Sequence, residues 1–407
     1  MTNKAIRERA FAALNVNASY FNSPILGVPA TYLDEEVFYS DAPFLKNAPF
    51  ITTLIANPNH IGVHSFDDHQ MEDIFAGTQE LETEMIRMVA ENMFHGEEKQ
   101  QDGYVATGGT EANIQAQWIY RNYFRKEKKA KNKEIAIVYS EDSHYSMPKG
   151  ANLLNLNSII LKVDDCTRQI VQEDLELKIN EAKKQGVKHF IVIMNMATTM
   201  FGSVDDIERV TEWLNKENID YKLHVDGAFG GYIYPFTMPD SPFSFKNPNI
   251  SSITIDAHKM LQAPYGTGIF ICRKGLMQYT RTEEAKYVQG LDFTISGSRS
   301  GANAVAIWMI MVAHGPNGLK VRMENMADKA LSFSEELQDL GVEVFYQEGM
   351  NIVTIRDKYI TPSIAKKYRL VSDHYGEKSN WWKVVVMKHV TQGTLDKFIE
   401  DLRLNMG

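Results

Sequence analysis

Apolar positions along this chain recur at helical spacing in some stretches and close into short uninterrupted runs in others. Residues 79–93 carry Leu81, Met85, Ile86 and Val89 on one face, the stripe of a helix packed on a core. Residues 110–124 are helical in pattern and begin at Thr110, whose side chain suits an N-cap. Residues 135–139 (IAIVY), 158–163 (SIILKV), 190–194 (FIVIM), 222–225 and 252–255 are short apolar runs, as expected of buried parallel strands. Polar helical segments, such as 174–184 and 205–216, lie between them. Strands alternating with helices predict a doubly wound α/β sheet covered by helices on both faces.

The pattern changes after a helix predicted at 302–312. A long helix at 324–340, short strands at 342–345, 351–355 and 383–387, and a last helix near 392–402 predict a smaller α+β unit. The first 50 residues set Gly27, Pro29, Pro43 and Pro49 among aromatics, an irregular arm packed on the main body or on a partner subunit. The expected division is an arm (1–50), a large α/β domain (51–315) and a small C-terminal α+β domain (316–407).

A chain of 407 residues has room for two or three such units. Its two cysteines, Cys166 and Cys272, lie far apart and make neither a disulfide framework nor a metal spacing, so a reducing, cytoplasmic setting is expected. A net charge of −9 argues against nucleic acid or an anionic membrane as the main partner. There is no secretory leader pattern at the N-terminus and no apolar run of the ~20 residues that a membrane span needs. His60, His64 and His69 with Asp67 and Asp68 fit no standard zinc spacing, so no metal is expected; one of these histidines is a candidate substrate contact.

Four motifs fall at predicted strand ends. In Asp256-Ala257-His258-Lys259 the lysine follows a strand and precedes a loop holding Pro264, Gly266 and Gly268. A lysine desolvated there becomes a neutral amine able to form a Schiff base, although a lone loop lysine is usually just solvated. Asp226, in His224-Val225-Asp226-Gly227-Ala228, is placed to pair with a protonated pyridine nitrogen, and Ala228 is small enough for a flat ring to lie against it. By itself Asp226 would read as a turn residue. Thr107-Gly108-Gly109-Thr110 joins a strand to a helix start, and two glycines with a hydroxyl beside free N–H groups suit a phosphate. The stretch is neither GxGxxG nor a P-loop, so a dinucleotide or nucleoside triphosphate is not indicated. His144, in SEDSHYS after the strand IAIVY, is placed to stack on an aromatic ring. Each signal alone is modest. In a doubly wound sheet such ends share one edge, and together the four describe a pocket for pyridoxal 5′-phosphate (PLP).

The stretches FAGTQELE, TGGTEAN, SEDSHYS, ATTMFGSVDDI, HVDGAFGG, DAHKM and SGSRSG, in this order between about residues 75 and 301, resemble the group II PLP-dependent amino-acid decarboxylases. That family includes histidine, aromatic-amino-acid, glutamate and archaeal tyrosine/aspartate decarboxylases. The resemblance implies fold type I, the aspartate-aminotransferase-like architecture, with a mostly parallel sheet and a small C-terminal domain. It implies that Lys259 carries the cofactor, Asp226 binds the pyridine nitrogen, Ala228 lies under the ring and His144 stacks over it. Gly109, Thr110 and His258 would contact the phosphate, and Thr199 the ring hydroxyl. Ser298 would reach a neighbouring subunit's phosphate, which implies a homodimer with shared sites. Ala197 stands where many relatives have Gly, a departure expected to matter little. Tyr287, with Tyr279 behind it, is the candidate proton donor. The implied reaction is decarboxylation of an L-amino acid to its amine. The alternative is another fold-type I activity, a carbon–carbon lyase of the sphingosine-phosphate type or an aminotransferase. The motifs do not choose the amino acid.

Overall fold

The computed structural model describes residues 24–27, 34–38, 49–62, 75–284, 291–374 and 378–406. Its centre is a seven-stranded sheet of β1 (Gln101–Ala106), β2 (Ile135–Ser140), β3 (Asn157–Leu161), β4 (His189–Asn195), β5 (Asp220–Gly227), β6 (Ile250–Asp256) and β7 (Gly268–Arg273), ordered β1-β7-β6-β5-β4-β2-β3. All neighbours are parallel except those of β7, which runs antiparallel to both β1 and β6. Successive side chains on a strand face opposite sides, and the sheet is buried on both except at its edge strand β3, of whose residues only Leu161 is buried. Ala136 and Val138 enter one apolar cluster, while Ile135, Ile137 and Tyr139 enter the other.

The α-helices longer than four residues, among the described residues, are α1 (Pro49–Ala56), α2 (Ala76–Arg87), α3 (Gly109–Glu127), α4 (Ser146–Leu154), α5 (Gln172–Lys184), α6 (Ile207–Lys216), α7 (Gly301–Asp339), α8 (Pro362–Tyr368) and α9 (Gln392–Met406). The core face of α3 (Ala112, Ala116, Ile119, Tyr120, Phe124) packs into the same cluster as Ile135 and Ile137. The two helices expected at 302–312 and 324–340 are both present, joined at a kink and labelled together as α7. It kinks at Gly315, whose φ of 60° and ψ of 175° break the ladder just before Pro316.

The C-terminal part builds a four-stranded antiparallel sheet from β8 (Val344–Tyr346), β9 (Ile352–Arg356), β10 (Val371–Ser372) and β11 (Trp381–Val385), ordered β10-β11-β9-β8. The described pieces of the N-terminal arm lie on the body. Leu26 exchanges backbone hydrogen bonds with Tyr368 and Val385. Asp34 is buried against His314 and Arg322 of α7.

Three expectations need correction. The turn residues after Lys259 suggest only a loop, but the stretch ends in β7, whose apolar run GIFICR fills a buried strand. Ala197 is not a neutral departure: its φ is 74°, a left-handed conformation that costs a non-glycine residue about 1–2 kcal/mol. Tyr279 packs away from the strand ends. Its hydroxyl donates to Glu127 at 3.1 Å and its ring meets Tyr123. Glu127 ends α3 eighteen residues beyond Gly109, about 27 Å at a helical rise of ~1.5 Å.

Candidate active site

The C-terminal ends of β1, β2, β4, β5 and β6 lie on one edge of the sheet. A pocket of about 510 Å³ opens there, lined by Gly109, Thr110, His144, Ala228, His258 and Lys259 among others. A wider cleft of about 730 Å³ shares His144 and Tyr145 with it and reaches Thr199, Phe201, Trp381 and Lys383.

Lys259 follows β6. Its Nζ lies 3.1 Å from Asp256 Oδ2, and His258 Nε2 lies 3.6 Å from the same oxygen. Burial pushes the His258 ring below the usual imidazole range. Its Nδ1 is buried without a hydrogen-bond partner among the described residues. Gly109 opens α3 against this wall. A Cβ there would lie 2.8 Å from Asp256 Oδ2 and 3.0 Å from the Ala228 methyl, so only glycine admits the helix end so close. Free N–H groups at a helix start, a threonine hydroxyl and an unsatisfied imidazole nitrogen are a donor set for a phosphate.

Asp226 is 5% exposed at the end of β5. Its Oδ1 accepts from the Ala228 N–H at 3.1 Å and its Oδ2 from Asn113 Nδ2 at 3.0 Å. Burial raises its carboxyl above the usual range, opposed by the neighbouring His144 and Lys259. A buried carboxylate next to the pocket floor fits a cationic ring nitrogen as partner. Burial likewise pushes His144 down. These residues fit PLP: a helix end for the phosphate, a carboxylate for the ring nitrogen, and a lysine for the aldehyde carbon.

Thr199 lies in the wider cleft, with its carbonyl accepting from Lys383. Ser298 is exposed beside Asn59, whose Nδ2 donates to its hydroxyl at 3.1 Å, and it does not line the smaller pocket. Tyr287, His64, Asp67, Asp68 and His69 lie outside the described residues. His60 is fully buried with both ring nitrogens engaged, Nδ1 by Glu82 at 2.5 Å and Nε2 by Thr78 at 2.8 Å. It faces neither cavity.

Sequence reasoning missed two groups. Asn113, Ser146, His224, Ser252 and Tyr120 form a hydrogen-bonded chain behind Asp226 and His144. Asn113 and His224 stand inside the motifs TGGTEAN and HVDGA, the only signal they carry. Lys383 is the single charge in the apolar run WWKVVV, and that isolation is the clue to it.

Fold and site together define a fold-type I PLP protein. Residues 68–358 match the pyridoxal-dependent decarboxylase conserved domain, and the chain belongs to that family. It is 47% identical over 402 residues to the tryptophan decarboxylase of Clostridium sporogenes, covering 99% of this chain and 96% of that one. It is 29% identical to a probable L-tyrosine/L-aspartate decarboxylase of Methanosarcina barkeri, covering 91% and 95%. Among solved structures it resembles a sphingosine-1-phosphate lyase from Burkholderia pseudomallei (TM-score 0.79, 18% identity, 100% and 91% covered). It also resembles an L-methionine decarboxylase from Streptomyces (TM-score 0.78, 19% identity, 99% and 95% covered). At such identities the structures speak for the fold alone. The protein is a PLP-dependent carboxy-lyase that converts an amino acid to an amine and CO2.

Proposed function

We propose that the substrate is an aromatic L-amino acid, tryptophan foremost, bound with its side chain in the 730 Å³ cleft. The observation that carries this is the charge balance of the cleft. Arg168 lies over the Phe201 ring and is neutralised by Asp142 and Asp165. Arg356 lies over the Trp381 ring and is neutralised by Asp165 and Glu343. Lys383, 4% exposed, has only the Thr199 carbonyl as hydrogen-bond partner among the described residues. Among the described residues this one uncommitted cation suits the α-carboxylate common to all amino acids and leaves none for an acidic side chain. Met200, Phe201 and Trp381 supply apolar wall. The 47% identical relative that is a tryptophan decarboxylase supports the same reading.

In this reading Lys259 would hold the cofactor through its aldehyde carbon, and His144 and Ala228 would face its ring from opposite sides. Gly109, Thr110 and His258 would hold the phosphate, and Thr199 would serve the ring hydroxyl. When bound, PLP supplies an electron sink for the pair left behind as CO2 departs. Asp226 keeps the ring nitrogen protonated. Lys383 anchors the carboxylate and so decides which bond stands perpendicular to the ring. Asp256 holds the Lys259 ammonium whenever that amine is free. Tyr287 remains the proposed proton donor to the α-carbon.

We further propose a homodimer. Tyr145, Leu153 and Ile295 are 60%, 65% and 45% exposed, yet all line the cofactor pocket. Large apolar side chains ringing a polar pocket suit a covering second copy, with Ser298 directed at the partner's phosphate. The division at Gly315 between a large domain (51–315) and a small one (316–407) is proposed on the same footing, from the kink in α7. No described helix is long and apolar enough to cross a membrane; a cytoplasmic location is proposed from two free cysteines.

The test is CO2 release from the twenty amino acids by the PLP-loaded protein. Release from tryptophan, with phenylalanine and tyrosine following, is expected. Release from aspartate or glutamate alone would overturn the aromatic assignment. Borohydride reduction and peptide mapping should place the cofactor on Lys259, and light scattering should report twice the chain mass.

A further inference from the structure

We infer that Asn113 is a positioning residue that commits His144 to one neutral form, with its proton on Nε2 and a bare Nδ1. The inference rests on the Lys259 pocket being the active site, and on the match of donors to acceptors along one chain of buried groups.

Asp226 stands at one end of that chain, and as the carboxylate that a cationic ring nitrogen requires it can only accept. The Asn113 atom 3.0 Å from Asp226 Oδ2 is therefore the amide nitrogen, since a carbonyl turned there would face the carboxylate lone pairs. The amide has a second hydrogen, which goes to Ser146 Oγ at 3.0 Å. On its other side Asn113 Oδ1 lies 2.9 Å from His224 Nε2, so that nitrogen carries the His224 proton. The Nδ1 of His224 then accepts from the Ser252 hydroxyl at 2.7 Å, and Tyr120 donates in turn to Ser252. Burial holds His224 down at about 3, in keeping with a ring that has one proton. Asn113, His224 and Ser252 are all fully buried, so no water competes for these bonds.

The other branch ends at His144. Ser146 Oγ already accepts from Asn113, so its hydrogen is left for His144 Nδ1, 2.9 Å away. The Ser146 backbone N–H points at the same nitrogen from 3.3 Å. Two donors converge on Nδ1, which leaves it no room for a proton of its own. Of the charges facing this ring, Asp226 and Asp256 favour a second proton, while Lys259 and Lys149 oppose it.

The consequence is a division of labour. His144 offers the cavity a flat ring and one N–H donor. It does not deliver a proton to the α-carbon, because a neutral ring giving up its Nε2 hydrogen would become an imidazolate. One side-chain amide thus fixes both the carboxylate at the ring nitrogen and the imidazole on the ring face, and the proton for the product comes from another group.

The experiment is nitrogen–proton correlation NMR of histidine-labelled protein at neutral pH, with and without PLP, His144 being identified by its loss in H144Q. A bare Nδ1 and a protonated Nε2 on both His144 and His224 are expected. In S146A, which removes the stronger donor, an Nδ1-protonated form of His144 should become populated while His224 stays unchanged. In N113A both rings should change, because Ser146 is then free to turn towards Asp226. A doubly protonated or Nδ1-protonated His144 in the wild type overturns the inference. So does an S146A spectrum with His144 unaltered, and since S146A removes a single hydroxyl, a poorly folded N113A does not weaken the test. Peptide mapping after borohydride reduction stands apart: a cofactor found away from Lys259 removes the active-site reading whatever the histidines show.

Discussion

Lys383 donates from Nζ to the Thr199 carbonyl at 3.0 Å, joining β11 of the small sheet to the turn that follows β4 of the large one. Burial, with the charge of Lys259 adding to it, lowers the ammonium to about 8. A charge is costly in such a place unless something pairs with it, and the bond to Thr199 uses one of its three hydrogens.

If Lys383 receives the substrate carboxylate, Lys383→Met should raise KM about 10- to 100-fold, the worth of a charge-assisted hydrogen bond of roughly 1.5–3 kcal/mol. Affinity in the wild type should fall as pH rises past about 8, because the neutral amine no longer attracts a carboxylate. Stability should move the other way. The folded pKa lies below the unfolded one, so the unfolded chain binds more protons between them and stability rises with pH across that window. KM and urea unfolding against pH, for wild type and variant, check both; a flat KM profile would remove Lys383 from substrate binding.

Asp226→Asn should bind PLP and remain folded, since the amide keeps an acceptor for the Ala228 N–H. Turnover should drop at least about a hundredfold, in line with losses of single preorganised electrostatic partners. Steady-state CO2 release beside the cofactor's absorbance measures this, and near-normal turnover would refute the role given to Asp226.

Glu82 sits at the centre of a buried cluster. It accepts from Arg299 Nη1 at 2.6 Å, from the Val105 N–H at 2.7 Å and from His60 at 2.5 Å. Burial alone would raise its carboxyl, but Arg299 and His60 override that and hold it at about 2. Glu82→Gln leaves Arg299 buried beside a neutral amide and should cost about 3–5 kcal/mol. The wild-type contribution is present above the ordinary glutamate pKa and fades as pH falls towards 2. Denaturant unfolding at neutral and acid pH reads this; the gap between the two proteins should narrow in acid.

Asp102 in β1 behaves oppositely. Burial pushes its carboxyl up to about 7; Oδ2 accepts from the Gly275 N–H, and Oδ1 has no hydrogen-bond partner among the described residues. Its raised pKa contributes stability that is full below the unfolded value and is lost as pH rises through about 7. Asp102→Asn should therefore stabilise the protein at mildly alkaline pH by a few kcal/mol at most, on the order of 1.4 kcal/mol for each pH unit that separates the folded from the unfolded pKa. That advantage should shrink in acid. Thermal melts at the two pH values decide it, and an unchanged difference would show that Asp102 does not titrate.

Much of the frame is legible in the chain. Short apolar runs such as IAIVY and FIVIM are strands because a parallel strand buried on both faces needs no alternation, and their spacing leaves room for one helix each. Lys259, Asp226, His144 and Gly109 can be named because the chemistry of PLP demands those residue types at strand ends. β7 is hidden by the Pro264 and Gly266 turn before it, since turn residues mark where a strand cannot be but not how soon one begins. Tyr279 is a false candidate because sequence distance says nothing about which end of α3 a side chain packs on.

By itself, then, the sequence determined the order of strands and helices and the groups that meet at one sheet edge, because local periodicity and residue chemistry are written along the chain. The tertiary structure alone decided that Asn113 lies between Asp226 and Ser146, residues 113 and 33 positions away. It alone brought Lys383 to Thr199 across 184 positions. Those contacts exist because packing brings helices, turns and strands distant in sequence side by side, and no local pattern encodes which buried polar groups will then find each other.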